Sequence, residues 1–331
     1  MTESPLRRRV VPISFVGRAG IVLVLAISAV VLLAALKDVQ PALQATLNGL
    51  VTGSYLALAA VGLTFIYGIL RLINFAQGDF LTFAAYMALL LPHLVAGAPL
   101  VLSILFAIAA TAALAVLLEL GLWRPLRGRG AGSLELILST IGLAFVIRYT
   151  IQLFAGADLR QLPVDVTSSY ALPHGVTIGR TIAITTVASY LVLVLVGLVL
   201  RYTRWGKQMR ALADSLELAE TSGLNTRRLV VVVWAAGAGL AGLAGVFYVA
   251  SIGSFSPQFG FALLLPLFAA VLVGGAGNPY GALAGGMLLG LVQEWSTLFI
   301  GTGWKAVVVF VVLLLTLLVR PQGLFTTAGR T

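Results

Sequence analysis

Long runs without a charged residue, separated by short polar or Gly/Pro breaks, set the rhythm of this 331-residue chain. The first run, Ala19–Leu36, follows Arg7, Arg8, Arg9 and Arg18 and ends at Lys37-Asp38. Its eighteen residues exceed the ~7–15-residue apolar core of a cleavable leader, so a spanning helix is the better reading. Pro41–Leu70 holds a second span. Phe80–Leu118 lacks Asp, Glu, Lys and Arg and is too long for one helix; Pro92–Pro99 supplies the turn between two. Leu134–Phe154 and Thr181–Leu200 give a fifth and sixth. The sixty-five uncharged residues Leu229–Gln293 divide into three at Ser251–Gln258 and Gly274–Pro279, and Ala306–Val319 closes the series. The pattern predicts an all-α, polytopic membrane protein of about ten spans. Eight crossings with re-entrant segments at 74–80 and 274–281 fit the same pattern.

Composition agrees. The chain is 60% hydrophobic with a mean hydropathy of +1.05 and 10% charged residues, against about 25% charged in soluble domains. The net charge of +10 is spread in short clusters between apolar runs. No basic face with interleaved aromatics exists on a soluble domain, which excludes nucleic-acid binding. Ten spans from a cytoplasmic N-terminus put sixteen of the twenty-one Lys and Arg inside, and Lys37, Arg160, Arg180 and Lys305 outside. Both termini are then cytoplasmic. The expected organisation is a tail over 1–18, one transmembrane domain over 19–320 with a cytoplasmic loop at 201–228, and a tail over 321–331. There is no cysteine, so disulfides and thiolate metal sites are excluded. Two histidines, His93 and His174, both in predicted loops, leave little for metal binding or catalysis.

The most informative break is Arg71–Tyr86, where Asn74, Gln77, Gly78 and Asp79 interrupt an apolar sequence. Amides and a carboxylate are costly in hydrocarbon unless they face protein or water, and broken helices commonly line transport pathways. A cytoplasmic turn with Asp79 capping the next helix is the plainer alternative. Gly274-Gly275-Ala276-Gly277-Asn278-Pro279 forms a similar break in the second half, followed by Gly281-x-x-x-Gly285. It lacks the lysine and strand–helix setting of a phosphate loop, so this chain is not expected to bind nucleotide. Arg148 falls within a predicted span, where it either snorkels to the interface or pairs with an acid.

With Asn48-Gly49-Leu50, Gly53-Ser54-Tyr55, Gly62-Leu63-Thr64, Tyr67-Gly68 and Asn74-Phe75-Ala76-Gln77-Gly78-Asp79, the chain resembles the permease subunits of branched-chain amino acid ABC importers, in their LivH-like branch. The resemblance runs over roughly Leu43–Phe325. It implies a translocation subunit, not an enzyme, in a bacterial inner membrane. The partners it implies are a second homologous permease, two ATPase subunits that use ATP and Mg, and an extracytoplasmic solute-binding protein. Urea, short-amide and other amino-acid importers share the pattern. Asn74, Gln77, Gly78, Asp79, Gly274, Gly275, Gly277 and Asn278 are the candidate pathway residues.

The basic loop 201–228 carries Glu217-Leu218-Ala219-x-x-x-Gly223, which resembles the family's E-A-A-x-x-x-G docking pattern with leucine for the middle alanine. One amphipathic helix from Met209 to Gly223 is expected, with Leu212, Leu216 and Ala219 as an apolar knob and Glu217 and Gly223 in the motif. A helix lying on lipid headgroups would show the same stripe. An ion-coupled secondary transporter of a small neutral or zwitterionic solute is the alternative function. It would want a mid-membrane carboxylate, and Asp79, Glu119, Glu135 and Glu294 are the candidates.

Overall fold

The computed structural model describes residues 38–95, 97–164 and 167–325; the expected first span, Ala19–Leu36, lies outside them. Helix α1 (Val39–Leu70) has 32 residues, ~48 Å at 1.5 Å per residue, and runs through the centre of a helical bundle. After the Arg71–Ala76 break come α2 (Gln77–Leu94) and α3 (Leu100–Leu118). A π-helical turn, Glu119–Trp123, carries α3 into the short α4 (Arg124–Gly128). Then follow α5 (Ser133–Ala155), α6 (Arg180–Tyr202), α7 (Arg204–Asp214), α8 (Leu216–Thr221) and α9 (Thr226–Ile252). Helices α10 (Phe259–Gly274), α11 (Pro279–Ser296) and α12 (Lys305–Val319) complete the chain.

Six of these segments are long and apolar enough to cross a membrane, among the described residues: Val39–Leu70, Leu100–Gly128, Ser133–Ala155, Arg180–Tyr202, Thr226–Ile252 and Thr302–Val319. Nine of the ten or so expected spans fall among the described residues, and six of the nine meet this standard. Three expected spans, α2, α10 and α11, form where the breaks place them but fall short. At 16 residues, α10 reaches only ~24 Å against a hydrocarbon core of ~30 Å. Helix α2 begins with Gln77 and Asp79, and α11 ends with Gln293 and Glu294. Polar residues and glycines at these ends lower the hydropathy because they serve contacts inside the bundle.

Burial separates core from rim. The apolar windows of α1 and α9 are 83% and 78% buried, whereas those of α3–α4, α5, α6 and the α12 segment are 11–39% buried. The exposed Leu, Val, Ile and Phe side chains of these outer helices form a surface suited to acyl chains. Small residues let the inner helices touch. Gly49 and Gly53 of α1 face Gly290 of α11, and a Cβ at Gly290 would strike the Gly53 backbone.

The bundle has two ends. At one, strands β2 (Ser169–Ala171) and β3 (Thr177–Gly179) form a hairpin, and β1 (Arg160–Gln161) pairs with β4 (Ser254–Phe255). Gln40 and Gln44 at the start of α1 donate to the Gly175 and Thr177 carbonyls at 3.0 Å and tie the hairpin down. The connection 155–180 is therefore partly ordered by strand pairing. At the other end lie α4, α7, α8 and the turn before α11.

The basic stretch around Arg127 is helical. The π turn rotates Trp123 inward to stack on Trp234 of α9, ring centroids 3.9 Å apart, and Arg127 pairs with the buried Glu119. Likewise the expected single helix Met209–Gly223 is two. Ser215 ends α7 with extended backbone, and its hydroxyl accepts from Leu218 N at 3.2 Å to start α8.

Candidate functional site: a polar-ended cavity and the break that frames it

Asn74 organises the first break. Its side-chain oxygen accepts from Ala76 N at 3.1 Å and its amide donates to Gln77 Oε1 at 3.3 Å, a local turn closed before α2 begins. Phe75 N donates to Thr140 Oγ1 of α5 at 3.2 Å. Gly78 then meets the carbonyl of Gly260, leaving no space for a Cβ on either residue, and Gly260 N donates to Thr82 Oγ1 at 3.2 Å. The start of α2 is thus clamped against the start of α10. Asn74, Gln77 and Asp79 are all fully buried.

Asp79 has a partner that spacing alone left open. Arg148 Nε and Nη2 reach its two carboxylate oxygens at 2.9 and 3.0 Å, a bidentate fork. Phe261 of α10 covers the guanidinium at 4.4 Å. One ion pair therefore joins α2, α5 and α10. Each charge neutralises the other, and the plain helix-cap role is not what Asp79 does: the backbone at the start of α2 bonds to Asn74 and Ala76 instead.

A cavity of about 210 Å³ lies beyond this clamp, in the half of the bundle nearer the hairpin. Tyr55, Leu56 and Ala59 of α1, Leu81 of α2, Tyr248 of α9, and Leu263, Pro266 and Leu267 of α10 form its walls. Ala244 and Ile252 add apolar surface, and Thr52, Ser251, Gln293, Glu294 and Lys305 supply the polar lining. Glu294 Oε1 accepts from Lys305 Nζ at 2.7 Å and from Thr52 Oγ1 at 3.2 Å. The Tyr55 hydroxyl is held by Thr185 of α6 at 2.8 Å. Pockets for drug-sized ligands run to ~300–1,000 Å³, so this one suits a smaller solute with an apolar body and a polar end.

None of the eight candidate pathway residues lines the cavity. Asn74, Gln77, Gly78 and Asp79 sit behind its wall, which Leu81 carries. Gly274, Gly275, Gly277 and Asn278 lie at the opposite end, where Leu324 N bonds to Val273 O at 2.8 Å and Asn278 Nδ2 reaches Phe325 O at 3.3 Å. Sequence reasoning missed Tyr55, Tyr248, Ser251 and Lys305. Only Glu294 stood out, as a carboxylate inside an otherwise uncharged stretch.

On α7 and α8 the candidate residues divide. Leu212 and Ala219 are buried against the bundle, while Leu216, Glu217 and Leu218 are exposed, Leu218 more than Leu216. Gly223 ends the segment at φ +79°, left-handed backbone that a side chain rarely adopts, with open space around it. Glu220 accepts from Thr226 Oγ1 at 2.8 Å and fixes α8 to the start of α9.

Comparison with known proteins fits this architecture. The family described as the permease component of branched-chain amino acid transport systems matches residues 45–317. The high-affinity branched-chain amino acid transport permease LivH of Escherichia coli K12 is 31% identical over 293 residues, covering 85% of this chain and 94% of LivH. BraD of Pseudomonas aeruginosa, a permease of the same description, is 31% identical over 300 residues, covering 87% and 97%. A probable LivH of Methanocaldococcus jannaschii is 28% identical over 289 residues, covering 84% and 90%. No solved structure matches. With six helices long and apolar enough to cross a membrane among the described residues, and a family match over residues 45–317, the chain belongs to the branched-chain amino acid transport system permease family.

Proposed function

We propose that this chain is the translocation subunit of an ATP-driven importer for branched-chain amino acids, set in a bacterial inner membrane. The observation that carries the reading is the match to LivH over nearly the whole of both chains. The cavity supports it, because leucine, isoleucine and valine combine an aliphatic body with a charged end. The hairpin end would face a solute-binding protein and the α7–α8 end the ATPases, with both termini cytoplasmic. A second permease and two ATPases complete the assembly, and ATP and Mg act on those partners alone. The transmembrane domain is one unit, 19–320, with 201–228 as its coupling loop. Asn74, Gln77, Gly78 and Asp79 flank the pathway as a frame. Gly274, Gly275, Gly277 and Asn278 form its boundary at the coupling end.

An ion-coupled carrier would need a carboxylate free to take the coupling ion. Asp79 is bound in both oxygens by Arg148, so it does not suit that role. Co-expression with the partner permease, ATPases and binding protein, then reconstitution in liposomes, tests the proposal. Leucine uptake should require ATP inside the ATPase compartment and the binding protein outside. Uptake by this chain alone, driven by an ion gradient, would instead establish the carrier.

A further inference from the structure

Two ion pairs in this bundle are built differently. Asp79–Arg148 is bidentate, with side chains 0% and 7% exposed and an aromatic ring over the cation. Glu294–Lys305 is a single N–H···O contact at 2.7 Å, with side chains 11% and 31% exposed. Both Glu294 and Lys305 line the cavity. The two bonds to Glu294 converge on Oε1, and Lys305 uses one of its three N–H donors there. Lys305 is also the first residue of α12, next to the short 3₁₀ turn Thr302–Trp304. A fork that is fully buried is costly to open. A one-point contact near water is not.

We propose that Glu294 and Lys305 are the head-group receptor of the cavity for a zwitterionic solute. The α-ammonium of the solute takes the place of Lys305 at Glu294 Oε1, beside Thr52. Its α-carboxylate takes the place of Glu294 at Lys305 Nζ. The pair closes on itself when the cavity is empty and opens into two complementary charges when an amino acid enters, so no charge is left unpaired in either state. The aliphatic body then lies against Leu56, Leu81 and Leu267, between Tyr55 and Tyr248. Urea and simple amides carry no charges to exchange with the pair, so the site selects against them. This inference rests on the importer reading and adds the residues that recognise the solute.

The test uses the complete importer in liposomes with a saturating leucine-loaded binding protein, and records leucine moved per ATP hydrolysed. In Lys305→Met and Glu294→Gln, that ratio should fall roughly tenfold or more, because one solute charge loses its partner. ATP hydrolysis stimulated by the binding protein should stay within about twofold of wild type, because docking and coupling are untouched. The double variant E294Q/K305M leaves no unpaired charge and serves if a single variant fails to fold; it should show the same loss. An unchanged ratio would overturn the receptor. So would uptake and ATP hydrolysis falling in parallel, the signature of a structural clamp between α11 and α12. Wild-type complex that hydrolyses ATP but moves no leucine would overturn the importer reading itself, and the receptor with it.

Discussion

At the scale of single residues, Asp79 and Arg148 show how the bundle tolerates full charges away from water. The guanidinium fork satisfies both carboxylate oxygens, and Phe261 covers its face. Removing one partner leaves the other charged and buried. Asp79→Asn should therefore destabilise by ~3–5 kcal/mol, whereas the apolar pair Asp79→Leu with Arg148→Met should come close to neutral. Thermal unfolding of the purified protein in detergent measures both. Equal losses in the single and double variants would show that these charges have partners beyond each other. Asp79 was legible in the sequence as an isolated acid in an apolar stretch. Pairing with an acid was one of two open options for Arg148, but that the acid is Asp79, 69 residues away, was not legible, because pairing across helices depends on which faces meet.

At the scale of elements, α8 carries the most specific expectation. Leu212 and Ala219 anchor α7 and α8 to the bundle, which leaves Leu216 and Leu218 outside. Of the knob expected at Leu212, Leu216 and Ala219, only Leu216 is exposed; we propose that Leu216 and Leu218 form it, and the leucine that replaces the family's middle alanine is the more exposed of the two. Leu218→Asp should reduce capture of the ATPases at least tenfold, since an apolar anchor in a partner groove commonly carries ~2 kcal/mol or more. The fold should be unaffected, because Leu218 is 68% exposed. Co-purification with the ATPases reads the first and thermal stability the second. Retained capture would reassign this face to the membrane surface. The break at Ser215 was not visible beforehand, because the apolar positions run on across it at helical spacing. Serine reveals itself as a cap only when the backbone before it turns extended.

At the scale of the whole molecule, the cavity and the Gly274–Asn278 turn lie towards opposite ends of one bundle. The chain has no cysteine, so introduced thiols report without background. Ser251→Cys, in the cavity wall, should react with a membrane-impermeant thiol reagent applied from the periplasmic side. Ala276→Cys, exposed in the turn before α11, should react only from the cytoplasmic side. Labelling of both from one side would contradict the two-ended arrangement. The two broken segments expected to pair from their similar composition approach each other where Gly68, at the end of α1, lies against Gly277; the second also packs beneath Leu324 and Phe325.

The sequence by itself determined the helical class, nearly every break between helices within the described residues, and the family. These follow from hydrophobic runs, from Pro and Gly as punctuation, and from local motifs, all of which act within a few residues along the chain. Among the described residues it overstated the number of long apolar helices, because absence of charge does not reveal that α10 stops at 16 residues or that polar residues and glycines lower the hydropathy of α2 and α11. Only the tertiary structure decided where the cavity lies and what lines it. Tyr55, Tyr248, Ser251, Glu294 and Lys305 come from four helices, and in sequence most of them look like ordinary members of apolar spans. Their role arises where helices cross and leave a space, and close approach of small residues such as Gly53 and Gly290 sets those crossings. A periodic pattern specifies that a helix has a buried face. It does not specify which other helix that face will meet.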